Sequence, residues 1–279
     1  MEILRYTAFS ADPAGGNPAG VVLDATGADD GAMLAVAADL GYSETAFLVP
    51  REPGCVDVRY FSPLAEVPFC GHATIAAAVA HSRRHGPGHL AFDTAAGRVE
   101  VSTSVGADGT HTAALVSVPP RTAPLTDGDL DALLAALRWR RADLDPALPP
   151  RVGYAGAWHP ILAAGTRARL ADLDYDFAAL AGLMAARDWT TVNLLLRESA
   201  TVFHSRNPFP PGGVVEDPAT GAAAAALGGY LRELGLVGPP VTLTVRQGED
   251  LGRPGVLTVT VPAEAGGGIT VAGTAVPID

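Results

Sequence analysis

The sequence predicts an α+β fold made of two similar halves, each a curved, mostly antiparallel sheet or barrel around one central helix. Three observations lead there. Strand-like runs outnumber helical ones and often follow one another directly, which fits an open parallel sheet poorly. Two helical stretches, Ile75–Ala80 (IAAAVA) and Ala222–Leu227 (AAAAAL), carry no charge on any face. A helix that is apolar all round is buried all round, and its small side chains let strands approach closely on every side. The order of elements also repeats between the halves, although their sequences do not resemble each other.

Apolar periodicity places the elements. The first half opens with a strand at Ile3–Phe9, a Gly/Pro loop (ADPAGGNPAG) and a short strand at Val21–Leu23. A helix over Asp30–Leu40 puts Met33, Leu34, Ala37 and Leu40 on one face. Strands fit Thr45–Val49 and Val56–Phe61, then CGHATIAAAVAHSRR is helical, and strands fit His89–Thr94, Arg98–Thr103 and Thr112–Val118. In the second half a helix fits Asp129–Leu137 and strands fit Val152–Ala155 and Ile161–Ala164. A long helical region then covers Leu170–Arg187, followed by strands at Val192–Arg197 and Thr201–Ser205. DPATGAAAAALGGYLREL is helical, and strands at Val241–Arg246, Val256–Val261 and Ile269–Val276 finish the chain. The Pro- and turn-rich run Pro119–Gly128 is the expected join. This gives halves at residues 1–120 and 121–279, with central helices at about 72–84 and 218–234, and a last strand that could return to the first half.

Composition narrows the chemistry. The 279 residues are 48% apolar and 18% charged, enough for an ordinary core. Acidic side chains number 30 against 19 basic ones, a net charge of −11, and every basic residue is Arg. Without Lys there is no Schiff base, no pyridoxal phosphate aldimine and no P-loop lysine. An acidic chain without a basic cluster is a poor partner for nucleic acid or an anionic membrane. Only Cys55 and Cys70 are present, too few for a disulfide framework or a four-thiolate metal site. No signal peptide or spanning segment is visible, so a soluble cytoplasmic protein is expected.

Both central helices begin with a polar, glycine-containing step, Cys70-Gly71-His72 and Asp217-Pro218-Ala219-Thr220-Gly221. Helix N-termini present unpaired N–H groups and partial positive charge, so two of them converging on one cleft would suit an anionic small molecule. Taken singly, each residue has a plain structural reading. Asp217-Pro218 is an ordinary N-cap followed by proline at the first helical position. His72 could be a capping or core histidine, Cys70 a small buried apolar residue, and Glu44 a solvated loop residue.

Together they point further. GGNPAGVVLDA (Gly15–Ala25), GYSETAFL (Gly41–Leu48), RYFSPLAEVPFCGHAT (Arg59–Thr74), EDPATGAAAA (Glu216–Ala225) and RQG…GRPG (Arg246–Gly255) occur in that order along nearly the whole chain. The set resembles the PhzF phenazine-biosynthesis-like family. That resemblance implies a fold like diaminopimelate epimerase, with two pseudo-symmetric halves and the site in the cleft between them. It implies an isomerase that moves a proton along an unsaturated amino acid without a cofactor. Glu44 would be the acid/base, and His72 and Asp217 would hold the substrate. Backbone N–H groups near Gly71 and Gly221 would receive its carboxylate, with Cys70 and Ala222 beside them. A homodimer is also implied by resemblance.

Two features qualify the match. The diaminopimelate epimerases use two opposed cysteines, and this chain has Cys70 at the first place but Asp217-Pro218 at the second. Many family members carry Ser where this chain has Ala222, so a hydroxyl able to bind substrate is missing and a related unsaturated acid becomes an equal candidate. The alternatives are an epimerase using Glu44 and Cys70 as opposed bases, a metal enzyme, and a non-catalytic binder of small carboxylates. For a metal enzyme the set Glu44, His72 and Asp217 offers one His and no HxH or HExxH spacing, so no metal is expected.

Overall fold

The computed structural model describes all 279 residues and divides into two compact units, Met1–Val116 with Ala272–Asp279, and Ser117–Val271. The first unit contains β1 (Leu4–Ala8), β2 (Asn17–Val22), α1 (Asp30–Leu40), β3 (Thr45–Glu52), β4 (Cys55–Phe61) and β5 (Glu66–Val67). It continues with α2 (Gly71–His85), β6 (His89–Thr94), β7 (Gly97–Val105) and β8 (His111–Val116). Antiparallel pairs β1–β2, β3–β4, β6–β7 and β7–β8 alternate with parallel pairs β2–β3 and β4–β6. The C-terminal strand, Thr270–Pro277, pairs with both β1 and β8 and closes an eight-strand barrel.

Helix α2 fills this barrel and packs on β1, β2, β3, β7 and β8. Ala73, Ile75, Ala76, Ala77, Ala78 and Val79 have no exposed surface. The run of alanines is the physical condition for this arrangement, because longer side chains would hold the strands off. A second core lies outside the barrel, where Met33 and Ala37 of α1 pack on Val22, Phe47 and Phe61. The Phe47 and Phe61 rings meet edge to face, 5.6 Å between centroids. Asp29 caps α1 by accepting a hydrogen bond from the Ala32 N–H at 2.8 Å.

The second unit repeats the plan with β9 (Arg121–Pro124), α3 (Asp127–Leu137), β10 (Arg151–Tyr154), β11 (Trp158–Ala163), α4 (Arg167–Ala171) and α5 (Phe177–Arg187). It goes on with β12 (Asn193–Arg197), β13 (Val202–Phe209), β14 (Val214–Asp217), α6 (Gly221–Glu233), β15 (Val241–Gln247) and β16 (Gly255–Val261). The C-terminal strand already described is β17. The pairing sequence matches the first unit: β10–β11 antiparallel, β11–β12 parallel, β12–β13 antiparallel, β13–β15 parallel and β15–β16 antiparallel. Helix α6 packs on β9, β10, β11 and β16, with Ala223 through Leu231 buried. An outer core of Leu133, Leu137, Leu180, Met184 and Val192 joins α3 and α5 to the sheet.

Four expectations need correction. The join Pro119–Gly128 is not all loop, because Arg121–Pro124 is β9, an antiparallel partner of β10. The region Leu170–Arg187 is two helices. Helix α4 stops at Ala171, and Asp176 opens α5 by accepting from the Ala179 N–H at 2.9 Å. The second central helix starts at Gly221 rather than at 218. Asp217 still belongs to β14, paired with Asn207 of β13, so Thr220 is the N-cap residue and the capping role read for Asp217 does not hold. Finally, β2 begins at Asn17, inside the Gly/Pro loop. Its first residues have only β1 as neighbour, which leaves room for Pro18 in a strand.

Candidate active site

In the first unit, Glu44 sits on the last step before β3. Helix α1 ends at Gly41, whose left-handed backbone (φ 68°) turns the chain, and Gly41 N–H donates to Ala37 O at 3.1 Å. The Glu44 carbonyl then accepts from Gly20 N–H at 3.2 Å, which fixes its backbone beside β2. A side chain at Gly20 would displace its neighbours, since a Cβ would lie 2.5 Å from both Thr45 Oγ1 and Leu40 Cδ1.

Cys70 and His72 come from the start of α2. Cys70 is the N-cap residue with an extended backbone (φ −144°), but its side chain does not cap the helix. It turns towards the other two residues. Cys70 Sγ lies 3.5 Å from Glu44 Oε2 and 3.3 Å from His72 Nδ1. His72 Nε2 lies 3.4 Å from Glu44 Oε2 and 3.4 Å from Ser43 Oγ. The Glu44 side chain is 16% exposed and His72 6%, so the carboxylate is largely sheltered yet not sealed.

Below this triad a short relay holds the helix end. Thr74 Oγ1 donates to the Cys70 carbonyl at 2.7 Å, so Tyr60, 2.7 Å from Thr74 Oγ1, must be the donor of that second bond. Burial pushes the Tyr60 phenol well above its ordinary range and keeps it a neutral donor. The Gly71, His72 and Ala73 N–H groups occupy the first turn of α2, where no intrahelical acceptor exists. The first unit thus gathers a carboxylate, a thiol, an imidazole and a helix N-terminus.

In the second unit, Asp217 ends β14 and is 9% exposed. Its Oδ2 accepts from Thr220 Oγ1 at 2.6 Å. Gln247, fully inside, braces the loop from β15: its Nε2 donates to Asp217 O at 2.8 Å and to Thr220 Oγ1 at 3.0 Å, and its Oε1 accepts from Thr220 N–H at 3.1 Å. The next residue, Gly248 (φ 83°), allows the close approach, since a Cβ there would lie 2.8 Å from Pro218 O and 2.3 Å from Arg253 O. One residue before Asp217, Glu216 forms a buried fork with Arg206 of β13. Arg206 Nε donates to Glu216 Oε2 at 3.0 Å, a second guanidinium nitrogen bonds Oε1, and the third reaches Ala171 O at 2.6 Å. Gly221 is buried in the first turn of α6 and Ala222 is half-buried there.

A further buried chain supports α6. Asn193 Nδ2 donates to Ala223 O, Ser205 Oγ to Asn193 Oδ1, Asn207 Nδ2 to Ser205 Oγ, and Thr191 Oγ1 to Asn207 Oδ1. The Thr191 proton is thereby committed, so His159 Nδ1, 2.8 Å from Thr191 Oγ1, carries a proton and Nε2 is the bare nitrogen. That Nε2 is buried without a partner, and burial pulls the imidazole down to about 4.

The geometry therefore brings Glu44, Cys70, Gly71 and His72 together and places Asp217, Gly221 and Ala222 at the corresponding helix start of the other unit. Sequence reading assigned no role to Ser43, Tyr60, Thr74, Arg206 or Gln247. All but Arg206 lie inside the quoted motifs, so their company was the available signal.

The model of the phenazine biosynthesis-like protein family, PhzC-PhzF, matches residues 6–279. The chain belongs to the PhzF family. Among curated relatives it is 32% identical to the uncharacterized isomerase YddE of Salmonella typhimurium, over 99% of this chain and 95% of that protein. It is 30% identical to the trans-2,3-dihydro-3-hydroxyanthranilate isomerase of Pseudomonas chlororaphis, over 90% and 86%. Among solved structures, the PhzF-family protein of Bacillus anthracis superposes with a TM-score of 0.88 at 26% identity, covering 100% of this chain and 98% of that one. A probable proline racemase from Agrobacterium radiobacter shares the fold, with a TM-score of 0.68 at 13% identity over 98% and 90%. Isomerase is the class of activity that goes with this membership. No helix of this PhzF-family chain is long and apolar enough to cross a membrane.

Proposed function

We propose that this protein is a cofactor-independent isomerase that shifts a double bond in an unsaturated amino or hydroxy acid, with Glu44 carrying the proton. The observation behind this reading is the sheltered Glu44 carboxylate, within 3.5 Å of Cys70 and His72 at the start of a buried helix. An allylic C–H beside a carboxylate or imine is weakly acidic. Removing its proton requires a base within hydrogen-bonding reach, and the same group can return the proton to a carbon a few ångströms away on one face. In this reading His72 and the α2 N-terminus stabilise charge that develops on the substrate, and Asp217 accepts from a substrate amine or hydroxyl. Trans-2,3-dihydro-3-hydroxyanthranilate, on which the Pseudomonas chlororaphis relative acts, is the first compound to test. Ala222 favours a relative of it that needs no hydroxyl contact at that place.

The experiment is incubation in D2O with this acid and a panel of unsaturated amino acids, followed by NMR and mass spectrometry. A moved double bond, with deuterium confined to the carbon that gains the proton and set by how far the partly exposed Glu44 carboxyl exchanges with solvent before returning it, supports the proposal. A second reading rests on Cys70 Sγ lying 3.3 Å from His72 Nδ1, a pairing that can generate a basic thiolate. It would make the enzyme an epimerase. Deuterium at a stereocentre without bond migration, together with complete loss of activity in Cys70→Ala, would establish that reading; double-bond transfer, in which the thiol carries no proton to or from carbon, predicts that Cys70→Ala slows turnover by no more than about tenfold, which is about 1.4 kcal/mol.

A further inference from the structure

Three different ligand atoms meet in the first unit within hydrogen-bonding or ion-pairing distance of one another. Glu44 Oε2, Cys70 Sγ and His72 Nε2 form a triangle with sides of 3.5 Å (O to S), 3.4 Å (O to N) and 3.8 Å (S to N). In a tetrahedral zinc site, with Zn–S about 2.3 Å and Zn–N or Zn–O about 2.0–2.1 Å, neighbouring ligand atoms stand about 3.3–3.6 Å apart. The triangle therefore has the size of one face of such a tetrahedron, with the fourth corner left for water or another ligand; the His72 ring, whose Nδ1 lies 3.3 Å from Sγ, turns on binding to aim Nε2 at the ion.

We propose that Glu44, Cys70 and His72 form a three-ligand site for a thiophilic divalent cation of the zinc class. The charges balance: a thiolate, a carboxylate and a neutral imidazole neutralise a 2+ ion, and the thiol proton leaves to solvent on binding. Sulfur and nitrogen ligands select zinc or cobalt over magnesium or calcium, which need a shell of oxygens. The backbone that carries Glu44 and Cys70 is fixed before any ion arrives, by the Gly20 N–H on the Glu44 carbonyl and by the Thr74 hydroxyl, itself bonded by Tyr60, on the Cys70 carbonyl. Occupation takes the Glu44 lone pairs, so the cation inhibits proton transfer. That consequence, though not the binding, rests on the proposed role of Glu44.

The test is titration of Co2+ into chelator-treated full-length protein near neutral pH, followed by Zn2+. The expected result is one equivalent of Co2+ per chain with a thiolate-to-cobalt charge-transfer band, bleached when Zn2+ displaces it. The band is retained in Cys55→Ala and lost in Cys70→Ala, with affinity down more than about 100-fold, because even outer-sphere partners contribute 10–100-fold. No band in the wild-type protein, or a band that survives Cys70→Ala, overturns the site. Zn2+ at one equivalent is also expected to stop deuterium exchange reversibly. A filled site with undiminished exchange in the active enzyme overturns the inhibitory half of the inference.

Discussion

The buried pair Arg206–Glu216 gives the sharpest stability prediction, because its surroundings determine what each change leaves behind. Both residues are under a tenth exposed, and Glu216 directly precedes Asp217 on β14. At about 3 Å and an effective dielectric of about 20, two unit charges attract by roughly 5 kcal/mol. Glu216→Gln removes that attraction and leaves a guanidinium buried without its counter-charge. The expected loss of unfolding free energy is about 3–5 kcal/mol. Arg206→Met with Glu216→Leu removes both charges, and the Ala171 carbonyl, which loses the Arg206 contact at 2.6 Å, keeps the Leu173 N–H at 3.1 Å. No buried charge is then left without its partner, so the double variant should be more stable than Glu216→Gln alone. Urea unfolding of the wild type, Arg206→Met, Glu216→Leu and the double variant, with Glu216→Gln alongside, followed by circular dichroism, completes the cycle. A coupling energy of about 2 kcal/mol or more is expected. A Glu216→Gln loss under about 1 kcal/mol, or additive single effects, would refute the reasoning.

Two more predictions concern the second unit. Gly248→Ala should cost about 2–4 kcal/mol, combining left-handed backbone strain with the clash against Pro218 O and Arg253 O; thermal or urea unfolding unchanged to within about 0.5 kcal/mol would contradict it. Burial holds the His159 imidazole down at about 4, against an ordinary value of 6.5. The unfolded chain therefore binds a proton first, and stability falls as pH drops from 6.5 through about 4, by up to about 3 kcal/mol in total. His159→Asn should flatten that part of the stability–pH curve, and an unaltered slope would remove His159 as the cause.

Much of this fold is legible in the sequence because its strongest signals are local. The all-apolar alanine helices required burial on every side, and strands follow one another with short turns between them, so a sheet wrapped around each helix followed. The elements that escaped are those fixed by distant partners. Strand β14 (VVED) received no element from the sequence, its Asp217 being read as the start of the helix, and it becomes a strand through Arg206 on β13 and the Asn207 pairing. Strand β9 contains Pro124 and depends on β10. The break between α4 and α5 lies at residues 172–176, where Asp176 serves as a cap rather than as a helical residue. At the site, motif positions pointed to Glu44 and His72, but spacing along the chain gave no sign that Cys70 would contact both. That contact depends on Glu44 reaching α2 from the entrance to β3, 26 residues earlier. Likewise, Gln247 is recognisable as a brace only once β15 is placed beside β13.

The central claim is that the Glu44 side chain picks up a hydrogen from one carbon and delivers it to another. The most direct measurement follows solvent deuterium entering the turned-over acid, with wild-type protein and Glu44→Gln side by side, after matched unfolding curves show that both are folded. The account predicts a moved double bond in the wild-type product, with deuterium only at the receiving carbon and only as far as the protonated Glu44 carboxyl exchanges with solvent before delivery, and a loss of turnover and uptake of at least about 1,000-fold in the amide variant, which has no basic oxygen to take the proton. Uptake by Glu44→Gln within about tenfold of the wild type would contradict it.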